Sequence, residues 1–115
     1  MRAVEVLRQK TPSVFVSLPR NDFGLARAAA EAGADGLKVH INLHHHAAGL
    51  DFGSWEEEAT VIGQIIDLDV PVGIVPGTAQ KMCSPGDMAS MASAGADVVV
   101  AYLHAMPVSM LDAAT

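Results

Sequence analysis

"GLKVHINLHHHAAG", residues 36–49, decides how the rest of the chain is read. Leu37, Val39, Ile41 and Leu43 alternate with Lys38, His40, Asn42 and His44. Such alternation is a strand signal, because successive side chains of a strand point to opposite faces. A solvated surface strand shows the same pattern. The flanking segments must therefore decide whether the polar row meets water or lines a site.

Those segments repeat one unit. "SVFVSL" (13–18) is an apolar, β-branched run bounded by Pro12 and Pro19. Asn21 or Asp22 then caps an Ala-rich helix that closes at Gly33. After a second strand near 36–42, "NLHHHAAGLDFG" makes a long strand-to-helix connection, and long connections in compact domains are often functional. Ser54 and Glu57 form a capping box for a helix whose buried stripe is Val61, Ile62, Ile65, Ile66 and Leu68. A third strand follows near 70–76. Ser84, Pro85 and Asp87 open a third helix that ends at Gly95. The fourth strand is expected near 97–104, and "PVSMLDAAT" begins another helix. "AGAD" at 32–35 recurs at 94–97, each time closing a helix and opening a strand.

This order predicts one α/β domain over residues 1–115, a parallel (β/α)4 unit with right-handed crossovers. Such a unit can be a small open sheet or half of a TIM-type (β/α)8 barrel, which is about 250 residues when whole. A glycine at each helix exit and small inward residues favour the half barrel. A free half barrel leaves two strand edges and one side of its core exposed. The expectation is therefore an incomplete barrel, completed by a homodimer or by a missing C-terminal half.

Composition narrows the function. The chain is 50% hydrophobic, 17% charged and 4% aromatic, which excludes disorder and leaves Ala, Val, Ile, Leu and Met to build the core. A net charge of -6 without a basic cluster argues against nucleic acid as a partner. No run approaches the ~18 apolar residues of a membrane span. "MRAVEVLRQK" lacks the apolar stretch of a secretory signal, and Cys83 is the single cysteine. The expectation is a reduced, cytoplasmic protein.

Under helices, the outward side of each strand must be apolar. That places Leu37, Val39, Ile41 and Leu43 outward and Lys38, His40 and Asn42 inward. The same logic turns Val72, Ile74, Val99, Ala101 and Leu103 outward. It turns Phe15, Ser17, Gly73, Val75, Gly77, Tyr102 and His104 inward. Barrel enzymes carry their catalytic groups at the C-terminal ends of strands. The catalytic candidates are Lys38, His40, Asn42 and His104. The lysine is a base or a carbonyl-trapping amine, and His with Asn can polarise a carbonyl or stabilise an enolate. The substrate-binding candidates are Ser17, Arg20, Gly77, Thr78 and Tyr102. The Gly77 and Thr78 N–H groups suit a carboxylate or phosphate, although "VPGT" also reads as an ordinary turn. No metal is favoured, since no acid or Cys stands at ligand spacing. A divalent metal on His40, His44 and His104 is the alternative. Cys83 has no base assigned beside it and reads as inert.

"PSVFVS" (12–17), "DFGLARAAAEAGAD" (22–35), "VHIN" (39–42), Phe52–Gly53, "VPV" (70–72) and "AGADVVV" (94–100) carry a resemblance. The chain resembles the N-terminal half of the ribulose-phosphate-binding barrels, most nearly the pentose-phosphate-epimerase type. The resemblance implies a barrel acting on a small phosphorylated or carboxylated metabolite. Metal-dependent members of that family place His and Asp at alternate positions of strand two and His on strand three. Lys38, His40 and Val75 stand there in this chain, so the metal triad is not kept. The expected function is an isomerase or lyase that transfers a proton next to a carbonyl. The alternatives are a metal-binding barrel without catalysis, like copper-homeostasis proteins, and an inactive partial-gene product.

Overall fold

The computed structural model describes residues 2–9 and 12–114. Its elements in chain order are α1 (Arg2–Gln9), β1 (Phe15–Ser17), α2 (Phe23–Glu31), β2 (Gly36–His40), β3 (His44–His45), β4 (Leu50–Asp51), α3 (Trp55–Ile66), β5 (Val72–Val75), α4 (Pro85–Ala94), β6 (Val98–Val99), a 3-10 turn (Leu103–Ala105) and α5 (Val108–Ala114). Helix α1 was not foreseen. The final helix was, with Thr115 lying outside the described residues.

The main sheet is parallel and keeps chain order, β1-β2-β5-β6. Leu37 and Val39 pair with Val72 and Ile74, while Lys38 and His40 pair with Gly73 and Val75. Residues paired across parallel strands share a face. One face therefore carries Leu37, Val39, Val72 and Ile74, all fully buried. Ala26 of α2, Ile62, Ile65 and Ile66 of α3, Met88 and Met91 of α4 and Met110 of α5 join them in one core. The helices α2 to α5 thus cover a single face of the sheet, and they do so because each strand places its branched residues at alternate positions. The opposite face holds Ser17, Lys38, His40, Val75 and Val100. Of these, Ser17 and Val100 are exposed.

The caps fall where side-chain chemistry requires. Asp22, not Asn21, caps α2 by accepting from the Leu25 amide. Ser54 and Ser84 form reciprocal capping boxes with Glu57 and Asp87. The two "AGAD" copies do the same work: Gly33 and Gly95 both adopt left-handed backbone conformations at a helix exit. Asp35 then accepts from the Val14 amide at 2.7 Å, and Asp97 accepts from the Val72 amide at 3.0 Å.

All four strands of the main sheet are shorter than expected, and two of the shortenings move a side chain. β2 ends at His40, and Asn42 turns the chain with φ 58°. The alternation breaks there, so Leu43 sits at the wall of a cavity and not against the helices. β6 ends at Val99, after which the chain tightens into the 3-10 turn. Ala101, expected outward, also lines the cavity. The Leu103 side chain, expected outward too, lies outside the described set.

Candidate functional site

The polar face of β2 opens into a cavity of about 560 Å³ at the C-terminal ends of β2 and β5. Three segments wall it besides the strands: the β3–β4 hairpin, the turn after β5, and the segment leaving β6. Among the described residues, its lining contains Lys38 and all five histidines of the chain, and no carboxylate. The protein as a whole has 13 acidic against 7 basic residues, so this wall has the opposite balance from the rest.

His40 sits deepest, at 4% exposure. Its main chain is clamped by Asn21 in the β1–α2 loop. The Asn21 amide donates to the His40 carbonyl at 2.7 Å, and the His40 N–H reaches Asn21 Oδ1 at 3.4 Å. The ring is held between Phe52 and His45, each with its centroid 4.9 Å away, the His45 ring standing at 74° to it. His40 Nδ1 is buried without a hydrogen-bond partner in the protein. Burial, then the neighbouring His45 and Lys38, lower the His40 pKa from 6.5 to about 4. At neutral pH His40 is a neutral imidazole.

The hairpin supplies the roof. His44 pairs across it with Asp51 and His45 with Leu50. His44 Nδ1 lies 2.7 Å from Asp51 Oδ1, and the His46 ring packs edge-on against His44 at 5.2 Å. On the far wall, the Tyr102 ring stacks on His104, centroids 5.6 Å apart at 23°. Tyr102 is 78% exposed there, since the strand that was to carry it has ended.

Six of the expected site residues line this cavity: Lys38, His40, Gly77, Thr78, Tyr102 and His104. Three do not. Asn42 is committed to structure, its side-chain amide donating to the Pro76 carbonyl at 3.2 Å and its N–H to Gly53 at 2.8 Å. Ser17 is exposed on β1, the strand beyond Lys38. Arg20 points into solvent and meets Asp22 at 3.9 Å. Thr78 is at the wall, but its N–H donates to the Lys81 carbonyl at 3.0 Å and its hydroxyl accepts from the Lys81 amide at 3.2 Å. The turn is closed on itself, so the Thr78 N–H is not available as an anion hook.

The sequence reading missed Asn21, His45, Asp51 and Phe52. Their contacts depend on the long loop folding back as a hairpin, and that follows from pairing geometry no local pattern announced. No three His, Cys, Asp or Glu side chains among the described residues are grouped to hold a metal ion, so His40, His44 and His104 are not gathered into such a set. Cys83 is buried, and burial followed by Asp87 raises its thiol pKa to about 11, which leaves it protonated. No helix among the described residues is long and apolar enough to cross a membrane. Compared with protein-family models, curated proteins and solved structures, the chain matches none.

Proposed function

We propose that the cavity binds a small phosphorylated or carboxylated metabolite and promotes proton transfer next to its carbonyl group, as an isomerase or lyase. The observation that carries this reading is the wall itself: one lysine and five histidines with no carboxylate in the lining, and the buried His40 among them. Lys38 is the one formal charge of this lining, and a positive charge set in a cleft draws anions. Lys38 supplies the charge that meets the anion or the developing enolate oxygen. His40, neutral and desolvated, offers a hydrogen bond to the carbonyl without repelling a cation, which is the electrostatic help such a step needs.

The same proposal takes the sheet as half of a TIM-type barrel of the ribulose-phosphate-binding kind. Sequential parallel strands with helices on one face suit a barrel wall, and the opposite, partly exposed face suits closure by further β/α units. A second copy of the chain or a longer polypeptide would supply them. Sedimentation velocity addresses this point, since a dimer supports self-completion and a stable, well-folded monomer counts against it.

The functional test uses dihydroxyacetone phosphate and pyruvate in D2O, with proton NMR reading exchange of the C–H next to the carbonyl. Exchange of either compound that falls ~100-fold in Lys38→Met supports the reading. No exchange of either compound by the unaltered chain overturns it.

A further inference from the structure

We infer that His44, oriented by Asp51, is the group that takes and returns the proton in this cavity. The inference rests on the reading of the cavity as a proton-transfer site and adds the identity of its base.

The candidates divide by chemistry. His40 has its pKa lowered to about 4, so its imidazole is a weak proton acceptor at neutral pH. His45 is turned edge-on to His40, and its Nδ1 accepts from the Ala48 amide at 3.2 Å, which ties that ring to the hairpin turn. His104 is stacked on Tyr102. His46, the fifth histidine of the lining, packs its ring edge-on against His44, and His44 differs from all four. It lines the cavity, and one ring nitrogen is already bound to a carboxylate, Nδ1 to Asp51 Oδ1 at 2.7 Å. An ionised carboxylate can only accept, so Nδ1 carries the hydrogen and Nε2 keeps the lone pair. This is the arrangement by which a carboxylate fixes the tautomer and orientation of a basic imidazole and supports the imidazolium that forms.

The hairpin explains how the pair is held. His44 and Asp51 are directly opposed residues of two antiparallel strands, so their side chains leave the same face. The Phe52 amide donates to the Leu43 carbonyl at 2.8 Å, which sets the register beside them. An alternating strand followed by a turn at Asn42 thus delivers one basic nitrogen to the roof of a cavity whose floor is Lys38 and His40.

In the step, Nε2 of His44 takes the proton from the carbon next to the carbonyl. The C–H electron pair becomes the enolate double bond, and the carbonyl pair moves onto oxygen, opposite Lys38 and His40. The imidazolium, paired with Asp51, then returns the proton to the same carbon as the oxygen pair re-forms the carbonyl. Where that carbon bears a hydroxyl, the proton goes instead to the former carbonyl carbon, while the hydroxyl proton passes to the enolate oxygen and the hydroxyl-bearing carbon becomes the new carbonyl. Asp51 never touches the substrate and is a positioning residue.

Two measurements test this. Long-range 1H–15N spectra of the unliganded chain should show His44 as the Nδ1–H tautomer, with that preference lost in Asp51→Asn. In the exchange assay above, His44→Gln should lower the rate ~100-fold or more, and Asp51→Asn by a smaller factor. Free imidazole should restore part of the rate to His44→Ala, a rescue that a collapsed hairpin would not allow. Exchange by His44→Gln within twofold of the unaltered chain, or an Nε2–H tautomer at His44, overturns the assignment and leaves the cavity reading standing. Absence of exchange by the unaltered chain overturns both.

Discussion

Asp35 holds Val14 by both ends of the peptide: its Oδ2 accepts from the Val14 amide at 2.7 Å, and its own N–H donates to the Val14 carbonyl at 2.8 Å. Asp97 repeats this on Val72, at 3.0 and 2.9 Å. In both places the aspartate follows a left-handed glycine and stands ahead of a strand whose parallel neighbour starts beside it. The carboxylate takes the place of a ladder acceptor that the short strand does not yet provide.

Removing that acceptor leaves a strand amide without its partner. Asp97→Ala and Asp35→Ala should each destabilise the fold by ~1–3 kcal/mol, and Asp97→Asn, which retains an acceptor oxygen, by less. Urea denaturation reads the difference. The Val72 amide is the more enclosed of the two, so Asp97→Ala should be the costlier change. Equal stability of Asp97→Ala and the unaltered chain would show that the repeated tetrapeptide is only a helix stop.

The two faces of the sheet should respond differently to truncation. Ile41 is fully buried at the end of β2 beneath the helices, and Ile41→Ala should cost ~2–5 kcal/mol. Val100, 41% exposed on the other face, should cost less than ~1 kcal/mol as Val100→Ala. Denaturant midpoints of the two variants make the comparison. Near-equal losses would mean that the cavity face is as tightly packed in solution as the helical face.

His40 makes stability depend on pH. An ordinary histidine titrates near 6.5, and His40 is lowered to about 4 by burial and by His45 and Lys38 beside it. Between those values the unfolded chain binds a proton that the native chain does not. Acidification therefore favours unfolding, with this contribution complete above about pH 6.5 and lost as pH falls through about 4. Its size is on the order of 3 kcal/mol. Carboxylates begin to titrate at the lower end of this window, so His40→Phe supplies the reference. The unaltered chain should lose stability relative to His40→Phe on going from pH 7 to pH 4, and parallel curves for the two proteins would remove His40 as the cause.

Much of the helix-and-strand order was legible because it is written locally. Ser54 with Glu57, and Ser84 with Pro85 and Asp87, are short-range signals, and both helices start there. The polar row of β2 was legible too, since period-two alternation assigns faces without knowing the partner strands. What local pattern does not carry is where a strand stops. Asn42 adopts a left-handed conformation and sends Leu43 to the cavity, and β6 stops after Val99 although the stretch "VVVAYL" (98–103) carries no charged residue. The hairpin that covers His40 was hidden for a related reason. "LHHHAAGLD" has no strong strand propensity, and its pairing is set by the ends meeting at Leu43 and Phe52.

The turn after β5 gives the sharpest test of the cavity wall. Gly77 has φ 150°, and a Cβ there would run into the Lys81 carbonyl oxygen and the Met82 Cα. Both are backbone atoms of the same turn, which is closed by the Thr78 and Lys81 hydrogen bonds and by the Cys83 amide donating to the Pro76 carbonyl at 3.2 Å. Neither can swing aside, so Gly77→Ala must open the turn. Strained backbone alone costs ~1–3 kcal/mol, and the collision adds to it. Gly49 is the control. Its φ is 67° and a Cβ there meets nothing within 4 Å, so Gly49→Ala should cost only ~1 kcal/mol. Because Gly77 and Thr78 line the cavity, Gly77→Ala should also weaken binding of inorganic phosphate measured by calorimetry, while Gly49→Ala should not. If both variants lose the same stability and bind phosphate alike, the turn is not a rigid part of the wall.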